Sequence, residues 1–312
     1  MKQLSSTRKK YTIFGLDVVS DFILDELFPS DETGEIEIIH GTVPGEIDDV
    51  LEKNELFQAS RRELLLNIRG VAKYLITDGK TIVVEPYAGA SYSAIKLYLL
   101  GTAFGSLLLL RGLLPIHGTA VMIDGNCVLV TGISGAGKST LSLAFREKGH
   151  CLLTDDIAVL CIKEDSVWVQ PSYPQQKIWR DSADSIGVSV DSLVQVSLTR
   201  GDKYFLPSRE SFYRESAKLT AIYELKAEEC HEVYIRQLEG SRKMSVLLQH
   251  TYRAELLPYF GLEMAHFIQC ADAANRTPVY QLIRPNKLFT TEQQISLIKA
   301  ELIRISHDIV ND

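Results

Sequence analysis

The chain has 312 residues, 46% of them hydrophobic and 23% charged, a length and balance that suit one large folded domain or two ordinary ones and exclude disordered, collagen-like and coiled-coil classes. Lys and Arg number 33 against 40 Asp and Glu, a formal net charge of -7, which argues against a nucleic acid as partner. The five cysteines are widely spaced with no CxxC pair, so they signal neither a zinc site nor a disulfide framework and point to a reducing, cytoplasmic setting.

In chain order, MKQLSSTRKKYTIFGLD carries basic residues but no apolar core with a cleavage site, so no signal peptide is expected. IEIIHGTVPG and LLLNIRG read as strands, and KYLITDGKTIVVEP as a hairpin turning at Asp78-Gly79. Leu97 to Leu110 is a run of fourteen uncharged residues bounded by Lys96 and Arg111. That is short of the ~20 residues a membrane span needs, so a buried helix and no membrane partner are expected. After Pro115, IHGTAVMI and CVLVTGI flank Asp124-Gly125-Asn126, a second hairpin signal. Ser139 to Lys148 reads as a helix, and CLLTDD as a strand ending in two carboxylates. TAIYELK, EVYIRQL and VYQLIRP have strand composition, and Lys243 to Ala265 is a candidate helix. The last helix has Thr291 and Gln294 as a capping box, with Ile295, Ile298, Leu302, Ile305 and Ile309 on one face. This mixture predicts an α/β or α+β fold. The pattern change near residue 92 divides a β-rich N-terminal region, 1–92, from residues 93–312.

The strongest motif is Gly132-Ile-Ser-Gly-Ala-Gly137-Lys138-Ser139, a full GxxxxGK[ST] between the apolar strand CVLVT and the helix STLSLAFREKG, the setting a P-loop requires. Its glycines let backbone N–H groups turn around phosphate oxygens, and the helix N-terminus favours negative charge. The nucleotide-binding set is Gly132, Ser134, Gly135, Ala136, Gly137, Lys138, Ser139 and Thr140, with Lys138 on the terminal phosphates and Ser139 as a magnesium ligand. No NKxD-type string for guanine and no protein-kinase HRD or DFG triplet is present. Asp155-Asp156 closes the strand after the P-loop helix, at the sheet edge where ligands of α/β sheets collect. One carboxylate there can hold magnesium and the other can accept a hydroxyl proton; a helix cap or solvated turn is the alternative. His117, at the start of the strand feeding the P-loop, reads on residue chemistry alone as a structural or a catalytic histidine.

With these residues in view, the string IHGTAVMIDGNCVLVTGISGAGKSTLSLAFREKGHCLLTDDIAVL resembles the catalytic domain of HPr kinase/phosphorylase. The resemblance implies a P-loop domain related to phosphoenolpyruvate carboxykinase, with ATP and Mg2+ as cofactors and transfer of a phosphoryl group to a serine hydroxyl of a protein. By position, Asp155 matches the aspartate acting as base toward the serine. Asp156 matches its neighbour, which joins Ser139 as a metal ligand here, and His117 matches the histidine near the base.

The chain departs from that family where Thr140-Leu141-Ser142 follows the motif in place of a glutamate, and where no long glycine-containing signature of the reverse reaction is found. The phosphorylase reaction and HPr as substrate therefore do not follow. FGLDVVSDFILDEL, RGLLPIHG and YPQQKIW resemble a divergent branch of HPr-kinase-like proteins, the lasso-peptide kinases, which implies the C-terminal serine of a precursor peptide as acceptor. Lys177 and Arg180, flanking Ile178-Trp179, are the candidate substrate or phosphate contacts, with Arg209, Arg214 and Arg276 behind them. The region 1–92 is a candidate peptide-binding or oligomerisation module of a homo-oligomer. A small-molecule kinase and a nucleotide-binding sensor without transfer remain as alternatives.

Overall fold

The structure, a computed structural model, describes the backbone of residues 4–196, 201–286 and 288–311, and within those spans the side chains of 7–307. It is a mixed α/β chain of two compact units: Met1–Pro115 with Thr251–Gln269, and Ile116–His250 with Cys270–Asp312. The expected boundary near residue 92 differs from this division. The helix Tyr92–Leu110, with a π-helical turn at Leu99–Ala103, buries Phe104, Leu107 and Leu108 on strands of the first unit and belongs with it. That helix is longer than its charge-free run and is long and apolar enough to cross a membrane by length and composition, with 61% of its apolar window buried.

The first unit is built on a nine-stranded sheet, in the order Phe28–Pro29, Leu4–Ile13, Leu16–Phe22, Ile36–His40, Thr81–Pro86, Ala72–Thr77, Glu63–Ile68, Phe57–Ala59, Glu52–Lys53. Alternation makes its core: Leu16, Val18, Ser20 and Phe22 are buried while the residues between them are half-buried, the period-two signature of a sheet with one covered face. The hairpin at Asp78-Gly79 forms as read, both residues at positive φ. The hairpin of Leu4–Ile13 with Leu16–Phe22 was not legible, because STRKKYT lacks an apolar pattern.

The second unit carries an eight-stranded sheet. The strand Asn126–Thr131 pairs antiparallel with Leu114–Ile123 through the Asp124-Gly125 turn, and parallel with Ala217–Glu228, which in turn pairs parallel with Val279–Pro285. Helix Lys138–Glu147 and helix Thr291–Asn311 cover one face. Leu141, Ala144, Phe145, Ile295, Ile298, Leu302 and Ile305 pack on Val128, Val130, Tyr223 and Tyr280, whose rings stack at 5.2 Å. Emptying such a site by Phe145→Ala costs about 3–5 kcal/mol.

Two expected helix ends move. The last helix starts at Thr291, and the side chain of Gln294 reaches the Thr290 hydroxyl at 3.0 Å, so Thr290 and not Thr291 is the capping partner. The side chain of Ile309 lies outside the described residues. The segment Lys243 to Ala265 is no single helix but breaks after Ser241–Gln249, because Arg253 and Gly261 adopt left-handed φ. All five cysteines are free.

Candidate active site

The site begins with the loop between strand Asn126–Thr131 and helix Lys138–Glu147. A Cβ on Gly132, whose φ is +141°, would stand 2.6 Å from the carbonyl oxygen of Leu225, so only glycine lets the loop leave the sheet beside its parallel neighbour. Lys138 is buried at the first helical position, and its ammonium donates to the carbonyls of Gly132 at 2.7 Å and Ile133 at 3.1 Å. Burial lowers its proton affinity, while Asp156 and Asp155 oppose that. Arg284 donates to the Ala136 carbonyl at 3.0 Å and ties the loop to the strand Val279–Pro285.

The carboxylate pair lies in the turn between strands Cys151–Thr154 and Ile157–Lys163. Asp155 is buried. Its Oδ1 accepts from the Thr119 hydroxyl at 2.9 Å and its Oδ2 from the Lys177 N–H at 2.8 Å. Burial, and then the neighbouring Asp156, raise its proton affinity above the ordinary carboxylate value. Asp156 sits at φ +71°, a region aspartate tolerates, and its Oδ2 meets the Lys177 ammonium at 2.8 Å. Burial works against its ionisation, but the Lys177 ammonium and His117 outweigh it and hold this carboxyl well below the usual range. The two neighbours thus differ in the way an acid–base division of labour needs.

His117 Nδ1 lies 3.1 Å from the Asp156 carbonyl oxygen. A carbonyl only accepts, so Nδ1 carries the proton. Burial lowers the imidazole's proton affinity despite Asp156. The His117 main chain is pinned on both sides: its N–H donates to the His250 carbonyl at 2.7 Å, and its carbonyl accepts from Thr131 at 2.8 Å. Gly118 follows because a Cβ there would stand 2.8 Å from the Val130 carbonyl oxygen of strand Asn126–Thr131.

His117, Ser134, Gly135, Gly137, Lys138, Ser139, Thr140, Asp155, Asp156 and Lys177 line one cleft of about 330 Å³. Its far wall is the hairpin of Gln175–Trp179 with Lys203–Pro207. Ile178 and Tyr204 pack this hairpin on Leu143 of helix Lys138–Glu147. Buried Gln176 donates to the Ser139 carbonyl at 3.0 Å and accepts from Arg146 at 2.8 Å. A second depression of about 220 Å³ shares Gly135, Gly137 and Thr140 and continues along Arg284, Phe289 and Gln294.

Among the residues expected from sequence, Arg180 is not in the cleft. It binds Asp191 at 2.8 Å and Asp202 at 3.2 Å and lies against the Tyr204 ring, because its position at the start of helix Arg180–Asp184 turns it along the outside of the hairpin. Arg276 pairs with Asp165 and Asp272, and Arg209 and Arg214 do not line the cleft either. Thr119, Gln176, Lys203 and Arg284 were missed. They stand 19 to 146 positions from Lys138; Thr119 and Gln176 lie within IHGTAVMI and YPQQKIW, but nothing in those strings singles out either side chain, and only the folded strands bring the four to the loop.

The site is thus a glycine loop between strand and helix, facing across one cleft a carboxylate pair of which Asp155 is buried and Asp156 half-buried. No family model matches the chain. Over short segments the chain is similar to curated HPr kinase/phosphorylases. It is 45% identical over 51 residues to that of Pelodictyon phaeoclathratiforme, 16% of this chain and 15% of the relative. It is 40% identical over 58 residues to that of Streptococcus salivarius, 18% and 19%, and 51% identical over 41 residues to that of Lactobacillus acidophilus, 13% and 13%. The chain thus matches less than a fifth of the length of these relatives. The solved Hpr(Ser) kinase/phosphatase from Coxiella burnetii is similar at 14% identity and a TM-score of 0.34, covering 62% of this chain and 98% of that one, a score from which neither fold nor residue correspondence follows.

Proposed function

We propose that the chain is an ATP- and magnesium-dependent serine kinase of the cytoplasm that transfers the γ-phosphoryl group of ATP to a serine hydroxyl of a peptide, the C-terminal serine of a lasso-peptide precursor. The observation that carries this reading is the buried Asp155 carboxylate, of raised proton affinity, facing the cleft that Lys138 and Ser139 also line. A pure nucleotide binder has no need of a base there.

In this reading the P-loop amides and Lys138 bind the phosphates. The ammonium exchanges the Gly132 and Ile133 carbonyls for β- and γ-phosphate oxygens. The second depression, with Arg284 and Phe289, takes ribose and base. Among the described residues no three His, Cys, Asp or Glu gather around a cation position. The donors on offer, the Ser139 hydroxyl and the Asp156 carboxylate, suit magnesium, which takes its other ligands from phosphates and water. Held by these two residues, it would supply positive charge against the phosphates. Asp155 takes the proton of the serine hydroxyl as the new O–P bond forms and the bond from the γ-phosphorus to the bridging oxygen breaks, releasing ADP. Thr119 and the Lys177 N–H aim the carboxylate, and His117 with Lys177 keeps Asp156 ionised beside it. The region 1–92 has peptide capture or self-association as its part.

Intact mass spectrometry of a serine-terminated precursor peptide incubated with the protein, ATP and magnesium tests the reading. A phosphoryl increment located at the terminal serine and absent with Asp155→Asn is expected. ATP consumption with an unmodified peptide would move the acceptor to a metabolite, and neither change would favour a nucleotide sensor.

A further inference from the structure

The hairpin wall of the cleft ends in a residue couple, Trp179 opposite Lys203. The Lys203 ammonium lies 5.5 Å from the centre of the indole ring, and Gly201 backs the same ring so closely that a Cβ there would stand 3.1 Å from it. Trp179 is 40% exposed, and both side chains line the cleft that holds the P-loop and the acid pair.

The other cations of the cleft are committed. Lys138 donates to two loop carbonyls, and Lys177 pairs with Asp156. Among the described residues Lys203 makes no ion pair. The two carboxylates along its wall are engaged: Asp181 accepts from the Ser182 N–H, and Asp202 is bound by Arg180. Lys203 nonetheless stands close enough to act on the site. After burial and nearer groups, its charge bears on Asp155, Asp156 and Lys138 alike. An ammonium held only by an aromatic face keeps its N–H donors open, and a charge-assisted hydrogen bond to an oxyanion is stronger than the ring contact it replaces.

We propose that Lys203, poised on Trp179, is the acceptor-side anion clamp of this cleft, taking an oxyanion that the acceptor carries beside its hydroxyl and so selecting acceptors that present a carboxylate or phosphate there. The word acceptor rests on the kinase reading; the anion site itself does not. The carboxylate comes from a chain terminus or the phosphate from an earlier transfer, and the clamp's chemistry is the same for both.

The test uses the emission of Trp179 in the full chain carrying Trp168→Phe, which leaves one indole. N-acetylserine supplies hydroxyl and carboxylate, N-acetylserine amide is its neutral control, and inorganic phosphate is the second anion. The expected result is a saturable change with N-acetylserine and none with the amide. Affinity should fall about tenfold or more in Lys203→Met and be restored in Lys203→Arg. A response to phosphate without one to N-acetylserine assigns the phosphate source. The clamp is overturned by a response that survives Lys203→Met, by loss in both Lys203 variants, or by no saturable response to either anion. Because no ATP is present, failure of the kinase reading leaves this result standing, and the reverse holds equally.

Discussion

The hydroxyl of Thr119 donates to Oδ1 of Asp155 at 2.9 Å, and both residues are buried. Thr119 is on strand Leu114–Ile123, which leads through a hairpin to the glycine loop, and Asp155 follows strand Cys151–Thr154, 36 positions later, so one bond fixes this carboxylate relative to the glycine loop. Thr119→Val removes a donor that favours the carboxylate form, which raises the Asp155 proton affinity further. The acid limb of the pH profile of kcat/KM should move to higher pH, with activity on that limb about tenfold or more lower. An unmoved acid limb would remove Asp155 from the base role.

The acid pair should respond to amidation in opposite directions. The folded-state proton affinity of Asp155 is raised, so the native state binds more protons than the unfolded one just above the ordinary value of about 3.9, and stability falls as pH rises through that window. Asp155→Asn removes this burden: its amide oxygen accepts from Lys177 N–H and the Thr119 hydroxyl turns to accept from the amide. Thermal melting at neutral pH should show a gain of about 1 kcal/mol that disappears in acid. Asp156, whose proton affinity is depressed, contributes stability above the ordinary value that is lost as pH falls below it. Asp156→Asn removes the carboxylate facing the Lys177 ammonium and should cost about 1–3 kcal/mol at neutral pH.

Gly132→Ala brings a Cβ to 2.6 Å from the Leu225 carbonyl oxygen at a φ of +141°. Neither the strand backbone nor the loop can yield without leaving the sheet. Destabilisation of about 1–3 kcal/mol is expected, together with ATP binding weakened well beyond what the melting temperature accounts for, measured by calorimetry on the folded variant.

Glu224, buried in register with Thr131 at the end of strand Asn126–Thr131, accepts from His250 at 3.0 Å and Gln281 at 2.8 Å. Burial acts against its ionisation, but the bonds from His250 and Gln281 and the Lys226 ammonium hold it down to about 2. Its stabilising contribution is present above the ordinary glutamate value of about 4.3 and is lost as pH falls toward 2. Glu224→Gln should flatten the acid side of the stability curve between those values, followed by denaturant unfolding at a series of pH values. The wild-type slope surviving in the variant would assign it to another group.

The hairpins at Asp78-Gly79 and Asp124-Gly125 and the strand–loop–helix around Gly132 were legible because each is local. Residues that tolerate positive φ mark the turn, and the apolar pattern on either side marks the strands. The failures were equally local in origin. Arg180 carries the charge a phosphate contact needs, but nothing in PSYPQQKIWRDS says on which side of a hairpin it will emerge. Arg253 and Gly261 broke a helix whose apolar residues alone read as continuous.

What the sequence by itself determined is the set of local devices: the glycine loop, the carboxylate pair after the next strand, the turns, and the amphipathic last helix. Neighbouring residues fully specify those through φ preference and hydrophobic period. What only the tertiary structure decided is which side chains meet at that loop. Thr119 reaches Asp155, Lys203 faces Trp179 and Arg284 reaches Ala136 through pairing between strands far apart in the chain, and such register is set by the packing of the whole sheet rather than by any window of sequence. The same packing drives the proton affinities of the two adjacent aspartates apart: burial and the neighbouring carboxylate raise that of Asp155, whereas the Lys177 ammonium and His117 hold that of Asp156 down against burial.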